Sequence, residues 1–365
     1  MARVARAAGL VGAIVGAAAA GVAAGVAAER ALVKRARPGA GDPYEHERLG
    51  SQPYDESLTV TTADGVELYV EIVDPADGVD VHPDFVGPVP PDTTVVFVHG
   101  FCLDMGTYFF QRKFLTERGD VRMVFYDQPG HGRSGRITHG EYTLAQLAEA
   151  LDRVIEETVP DGPIVLVGHS MGGMTIMAMA ERYPEHFGER VVGAVLVSTS
   201  AGRLEATRIG LPEIVGRVGR PVLPLVDSAT RLTGSMVDRA RFASSRLAWL
   251  LTRRYGFGTP RPSRSLVSFV ERMNSRTPTE TVARYLRTLY THARYPALDA
   301  LRSIPVLVIC GTNDQITPLA LSEEICRRLP DAELIAVPDS GHVVLLEHSE
   351  AVNEALDRFL EKVQP

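Results

Sequence analysis

Gly168-His169-Ser170-Met171-Gly172-Gly173 sets a serine inside a Gly-x-Ser-x-Gly pattern. The apolar run Ile164–Val167 precedes it, and helical spacing from Met171 to Tyr183 follows. A chain that turns this sharply from strand to helix holds its serine in a strained position, and bulkier residues at 168 and 172 would clash there. The turn lifts the Ser170 oxygen above the sheet, beside a helix N-terminus whose N–H groups can receive developing negative charge. This is the placement of a nucleophile. A glycine-rich turn with a capping serine is the plainer alternative.

A serine nucleophile needs a base, and the chain has 10 histidines. His342, in Asp339-Ser340-Gly341-His342, lies in a loop between the strand Glu333–Val337 and a last helix from about 350 to 363. From there it can reach across the carboxyl edge of a sheet. His169 adjoins the serine, but its side chain should point elsewhere. His99 and His131 sit in Gly-rich turns as structural groups, and His348 falls near the surface. The base in turn needs an acid that fixes its tautomer and stabilises the imidazolium. Asp314, in Gly311-Thr312-Asn313-Asp314, follows the strand Val306–Cys310 and precedes a helix opened by Pro318; a turn or capping role is the alternative. Two backbone donors would complete an oxyanion hole: the N–H of Met171, next to the nucleophile, and that of Phe101, after the strand Thr94–Val98. Losing one such donor costs ~10²–10³ in turnover. No metal or cofactor is expected. His99, Asp104, Asp127 and His131 lack the His-x-His or paired-Cys spacing of a metal site.

The elements that must carry these residues alternate. Residues 58–63 and 66–73 read as strands joined by Asp64-Gly65 in a two-residue hairpin turn. Continuous apolar runs at 94–98, 121–125, 164–167, 191–197 and 306–309 read as strands buried on both faces. Helical spacing separates most of them, as in Leu144/Leu147/Leu151/Ile155, which implies βαβ units and a mostly parallel sheet. From 201 to 297 the strand runs stop. Val237, Ala240, Ser244, Leu247 and Leu251 step by three and four, as do Leu266, Val270 and Met273, and Val282, Tyr285 and Leu289. These are the buried faces of helices in an inserted cap.

His99-Gly100-Phe101, Asp127-Gln128-Pro129-Gly130-His131-Gly132-Arg133-Ser134, the Ser170 turn, Gly311-Thr312-Asn313-Asp314 and Gly341-His342 follow one another in an order that resembles the α/β-hydrolase superfamily, in its capped branch of esterases, lipases, cofactor-free haloperoxidase-like enzymes and carbon–carbon hydrolases. The resemblance covers about 58 to 362. It implies the α/β-hydrolase fold: a mostly parallel eight-stranded sheet with helices on both faces and an inserted helical cap. The expected organisation is an N-terminal anchor or signal segment at 1–38, a linker at 39–57, a core split between 58–200 and 298–365, and the cap at 201–297. The implied activity is hydrolysis of carboxylic esters, lipid-like ones among them, through a Ser170–Asp314–His342 triad and an acyl-enzyme. Thioester cleavage, perhydrolysis and carbon–carbon hydrolysis on the same triad stay open, as does a non-catalytic ligand receptor. Ser170 argues against the epoxide hydrolase and dehalogenase branches, which place Asp at the nucleophile.

Composition sets the outer bounds. The 365 residues are 45% hydrophobic and 23% charged, which is ordinary globular usage and excludes a disordered chain or a polytopic membrane protein. A pI near 5.8 gives no general reason to bind nucleic acid. Three cysteines cannot make a disulfide framework. The formal charge of −7 is uneven: about +5 in residues 1–37, +11 in 201–297 (17 Arg against 6 acidic residues) and −23 in the rest. That basic cap either faces an anionic surface or substrate, or is a set of solvated faces paired with the acidic core.

Residues 7–28 carry no charge and consist of 11 Ala, 5 Gly, 4 Val, one Leu and one Ile. As a helix they would span about 33 Å, against a hydrocarbon core of about 30 Å. A signal anchor, a cleaved secretory signal ending at Val26-Ala27-Ala28, and a disordered arm are the three readings. Four flanking basic residues on the C-terminal side against two plus the amine on the other favour a cytoplasmic catalytic domain. The oligomeric state is not readable.

Overall fold

The computed structural model describes residues 41–75, 93–138, 141–202 and 245–363, with the side chains of 245–247 excepted. Two compact units divide the chain, Met1–Glu45 and His46–Pro365, and the architecture below belongs to the second. The expected anchor at 7–28, most of the Pro-rich segment 74–93 and the first part of the expected cap lie outside the described residues. Among the described residues no helix is long and apolar enough to cross a membrane.

Eight strands form one sheet: β1 (Glu56–Thr61), β2 (Glu67–Val73), β3 (Thr94–Val98), β4 (Arg122–Tyr126), β5 (Ile164–His169), β6 (Val191–Val197), β7 (Val306–Gly311) and β8 (Glu333–Val337). Their order is β1-β2-β4-β3-β5-β6-β7-β8. Only β1–β2 and β2–β4 pair antiparallel; the other pairs are parallel. Among the described residues, eight helices run longer than two turns: α1 (Phe109–Arg118), α2 (Leu144–Thr158), α3 (Met171–Arg182), α4 (Ser245–Gly256), α5 (Arg264–Arg276), α6 (Thr279–Tyr290), α7 (Leu319–Arg328) and α8 (Ser349–Lys362).

The central strands are apolar throughout because both faces are covered. Val96, Val98, Val124, Tyr126 and Leu166 face a core shared with Leu147 and Leu151 of α2 and Met174 and Met177 of α3. On the opposite face Phe97 stacks on Phe125 at 4.5 Å and meets Tyr108, which leads into α1. Gly193 of β6 lies under α8, where an added Cβ would approach Phe359 and Val363 within 3.1 Å. Helix α2 is capped by its own residues: Thr143 accepts from the Gln146 N–H and the Gln146 side chain accepts from Thr143 N–H, a reciprocal capping box.

Three local expectations change. Asp64-Gly65 does not make a two-residue turn; the ladder ends at Thr61 and Glu67, and residues 62–66 close the loop with Thr62 Oγ1 accepting from Val66 N–H at 2.9 Å. That side-chain bond satisfies a donor a tighter turn would have paired. The stretch 46–57, within the expected linker, packs on the core: Gln52 donates to Phe109 O at 2.8 Å and Arg112 to Pro53 O at 2.5 Å. Arg112 also pairs with buried Glu71 at 2.6 Å, so this segment covers a charged cluster that water would otherwise enter. Finally, Leu251 is 47% exposed and departs from the buried stripe expected of it, while Leu266, Val270, Met273 and Tyr285 are buried.

Between β6 and β7, the described helices α4, α5 and α6 lie against the carboxyl edge of the sheet. Tyr285 of α6 is fully buried and donates to Pro129 O at 3.1 Å. Thr107 meets Met273 of α5 at 3.7 Å.

Candidate active site

The parallel strands β5 and β7 end at the same sheet edge, and the three polar groups of interest start there. Ser170 follows β5 directly and has φ 52 and ψ −114, a strained conformation for a residue with a side chain. Several contacts hold it. Its N–H donates to Val197 O at 2.9 Å, and its carbonyl accepts from Thr199 Oγ1 at 2.7 Å. Gly168 and Gly172 make the turn possible: a Cβ on Gly172 would stand 1.8 Å from Val98 O, and one on Gly168 2.7 Å from the Gly172 carbonyl carbon. Helix α3 therefore begins with its first amides beside Ser170.

His342 lies after β8, as the loop position suggested, and its Nε2 is 3.0 Å from Ser170 Oγ. Its Nδ1 is 2.9 Å from Asp314 Oδ2. A carboxylate only accepts, so the arrangement assigns the proton to Nδ1 and leaves Nε2 to accept from the serine hydroxyl. Asp314 has a fully buried side chain. Burial pushes its carboxyl up, but the charge and hydrogen bond of His342, with the Thr317 N–H and hydroxyl, outweigh burial and hold it below the usual carboxylate range. Its Oδ1 accepts from the Ile316 and Thr317 amides at 2.8 and 2.9 Å.

Two groups that the sequence reading did not assign support this set. Thr317 Oγ1 sits 2.8 Å from Asp314 Oδ2, 2.8 Å from Ser198 O and 3.2 Å from His342 Nδ1. His169, expected to point away, turns under the loop and its Nε2 meets the His342 carbonyl at 2.9 Å. Only an N–H can donate to a carbonyl, so His169 carries its proton on Nε2. Burial and then the neighbouring His342 push its pKa down to about 3, and it stays neutral. Gly100 leaves room for that ring, since a Cβ there would be 2.7 Å from His169 Nδ1. The local signal for both was weak, because each acts through partners distant in sequence.

The same Gly100 position would come within 3.2 Å of Ser170 Cβ, which sets the Gly100–Phe101 segment against the serine. Among the described residues, neither the Phe101 amide nor the Met171 amide has a protein acceptor. His99, Asp104, Asp127 and His131 have other partners. His99 Nε2 accepts from Gln128 N–H at 2.8 Å, and Asp127 accepts from the Met105 and Arg133 amides at 2.9 and 2.8 Å. Asp104 caps a helical turn through Gly106 N–H at 3.0 Å, and His131 Nδ1 meets Pro129 O at 3.1 Å. These are structural bonds, as read for the two histidines.

A cavity of about 340 Å³ opens on Ser170 and His342. Phe101, Leu103, Met174, Leu251, Val270, Leu286, Leu289, Ile316 and Val343 give it a mostly apolar lining, into which Thr252, Tyr255, Asn274, Tyr290 and Thr317 bring polar groups. Leu251, unburied on its helix, is one of these lining residues. A hydroxyl aligned with an imidazole, itself aligned with a buried carboxylate, can attack an electrophilic carbon and pass its proton to a leaving group.

Comparison with known proteins agrees with this architecture. A bifunctional esterase/perhydrolase of Acinetobacter calcoaceticus is 26% identical over 313 residues, covering 82% of this chain and 98% of its own length. The dihydrolipoyllysine-residue acetyltransferase component of an acetoin cleaving system in Pseudomonas putida is 28% identical over 279 residues; the alignment covers 74% of this chain and spans 64% of that protein. Among solved structures, a thermophilic esterase of Thermogutta terrifontis superposes with a TM-score of 0.62 at 25% identity, over 85% of this chain and 100% of the esterase. The family model of the alpha/beta hydrolase fold matches residues 93–349, a span that runs from β3 through β8 and takes in Ser170, Asp314 and His342. With the sheet order and that span in agreement, the chain belongs to the α/β hydrolase fold family.

Proposed function

We propose that this protein is a serine hydrolase that cleaves carboxylic esters with apolar acyl groups. His342 Nε2 takes the proton of Ser170 Oγ as it attacks the ester carbonyl. The Phe101 and Met171 amides hold the resulting oxyanion. His342 then protonates the leaving alcohol, and Asp314 stabilises the imidazolium while it exists. Water activated by the same histidine attacks the acyl-enzyme and releases the acid. The observation that carries this reading is the continuous line Ser170 Oγ–His342–Asp314, at 3.0 and 2.9 Å, at the wall of an apolar cavity. The lining favours a lipid-like or other aliphatic acyl group over a charged one. The test is hydrolysis of p-nitrophenyl esters by the wild type and Ser170→Ala. The variant is expected to lose turnover; wild-type turnover in it would overturn the reading.

Perhydrolysis is the second reading, favoured by the relative named as both esterase and perhydrolase. Hydrogen peroxide would replace water against the same acyl-enzyme, and peracid formation from an ester and peroxide tests it. We also propose that residues 7–28 tether the enzyme to a membrane with the catalytic domain on the cytoplasmic side. Retention in the pellet after alkaline extraction supports a spanning anchor; a mature chain beginning after Ala28 in the culture fluid supports a cleaved signal instead.

A further inference from the structure

The loop that carries His342 is held by a carboxylate that takes no part in the proposed chemistry. Glu347 accepts from Gly258 N–H, which lies 3.0 Å from both carboxylate oxygens, and its Oε1 accepts from Thr259 N–H at 2.7 Å. Its Oε2 accepts from Gly341 N–H at 2.6 Å and from the Ser340 hydroxyl at 3.3 Å. One carboxylate thus joins two segments: Gly258–Thr259, just after α4, and Ser340–Gly341, just before His342. The side chain is half-buried.

The two segments are in backbone contact as well. A Cβ on Gly258 would lie 2.3 Å from the Ser340 carbonyl carbon, and one on Gly341 2.5 Å from Gly258 N. Val343 N–H donates to Gly256 O at 3.0 Å, and Asn313, next to Asp314, donates through its side chain to Gly258 O at 3.3 Å. His342 is therefore flanked on both sides by amides tied to the segment leaving α4, one through Glu347 and one directly.

We propose that Glu347 is a positioning residue for His342: it straps the end of α4 across the histidine loop, so that the seating of α4 and the distance from His342 to Ser170 are set together. This rests on the serine-hydrolase reading above. A glutamine cannot replace it. Its one oxygen serves either the Thr259 amide or the Gly341 amide, with Gly258 in reach from both positions, and its NH₂ then faces the donor left over.

The experiment uses full-length Glu347→Gln and Glu347→Ala beside the wild type and Ser170→Ala. It measures kcat and KM for p-nitrophenyl butyrate, and hydrogen exchange at residues 256–259 and 340–343. A displacement of about an ångström at the base costs on the order of 10²-fold, so kcat should fall by roughly 10–100-fold. KM should stay within about twofold, because the lost interaction matters in the transition state. Exchange should rise in both segments together, and the glutamine variant should behave like the alanine variant. The proposal is overturned if Ser170→Ala is inactive while Glu347→Gln keeps wild-type kcat, or if 340–343 exchange unchanged. If instead Ser170→Ala turns over normally, the hydrolase reading fails, and the exchange at 340–343 still decides whether the strap exists. Should the alanine variant not fold, the near-isosteric glutamine variant carries the test.

Discussion

Replacing Asp314 with Asn keeps the shape of the side chain and exchanges one acceptor for a donor. Oδ1 receives the Ile316 and Thr317 amides at 2.8 and 2.9 Å, so an asparagine must put its oxygen there. Its nitrogen then occupies the Oδ2 position, 2.9 Å from His342 Nδ1 and 2.8 Å from Thr317 Oγ1. Thr317 can accept that bond because its own proton has a second acceptor in Ser198 O, at 2.8 Å. His342 Nδ1 must then accept as well, which moves the imidazole proton to Nε2, the nitrogen 3.0 Å from Ser170 Oγ. A nitrogen that already carries its proton cannot take the serine's. With the wrong tautomer locked and the geometry intact, kcat should fall ~10⁴-fold, which is about 5.4 kcal/mol of lost transition-state stabilisation at ~1.36 kcal/mol per decade. The assay is steady-state hydrolysis of p-nitrophenyl butyrate at neutral pH, with thermal unfolding to show that the fold is retained. An Asn variant within an order of magnitude of the wild type would refute the tautomer reasoning.

Two further outcomes follow from the geometry. Leu289 is buried and lines the cavity, so Leu289→Trp should shorten the preferred acyl chain. In the wild type each added CH₂ contributes ~0.8 kcal/mol, about fourfold in kcat/KM, until the cavity fills; an unchanged chain-length profile in the variant would contradict the assignment of the acyl site. Burial, and then the Asp104 carboxylate beside it, push Asp127 up to about 7, against ~3.9 in an unfolded chain. The folded state then holds a proton that the unfolded state has released, so this group's contribution is complete below ~3.9 and is lost as pH rises through the folded value. Urea midpoints measured from acidic to neutral pH should show Asp127→Asn to be less stable by ~1–3 kcal/mol, because one backbone amide loses its acceptor. That deficit should shrink as pH rises, and a deficit independent of pH would count against the raised value.

What could be read in the sequence was what is local. Ser170 announces itself because glycines two residues to either side are required where the turn is tight, Gly168 by Gly172 within the turn and Gly172 by Val98 of β3, and β3 and β6 begin and end where their strand runs do. Asp314 and His342 were legible by their place after strands. The supporting groups were not. Thr317 reaches Ser198 across 119 residues, His169 reaches His342 across 173, and Glu347 reaches Gly258 across 89. Their contacts are made when strands distant in sequence come side by side, and single residues of common type leave no periodic mark. The same cause hid the role of residues 46–57, whose polar composition reads as a linker while Gln52 and Pro53 bond to α1. Leu251 fits a helical stripe by spacing, yet it lines a cavity rather than the core.

The most direct test of the central claim is to map the covalent adduct left by a fluorophosphonate on the wild-type enzyme by peptide mass spectrometry. The expected result is a single modified position, Ser170, formed rapidly in the wild type, slowly in His342→Ala and not at all in Ser170→Ala. Modification of another residue, or equal labelling of the Ser170→Ala variant, would contradict it.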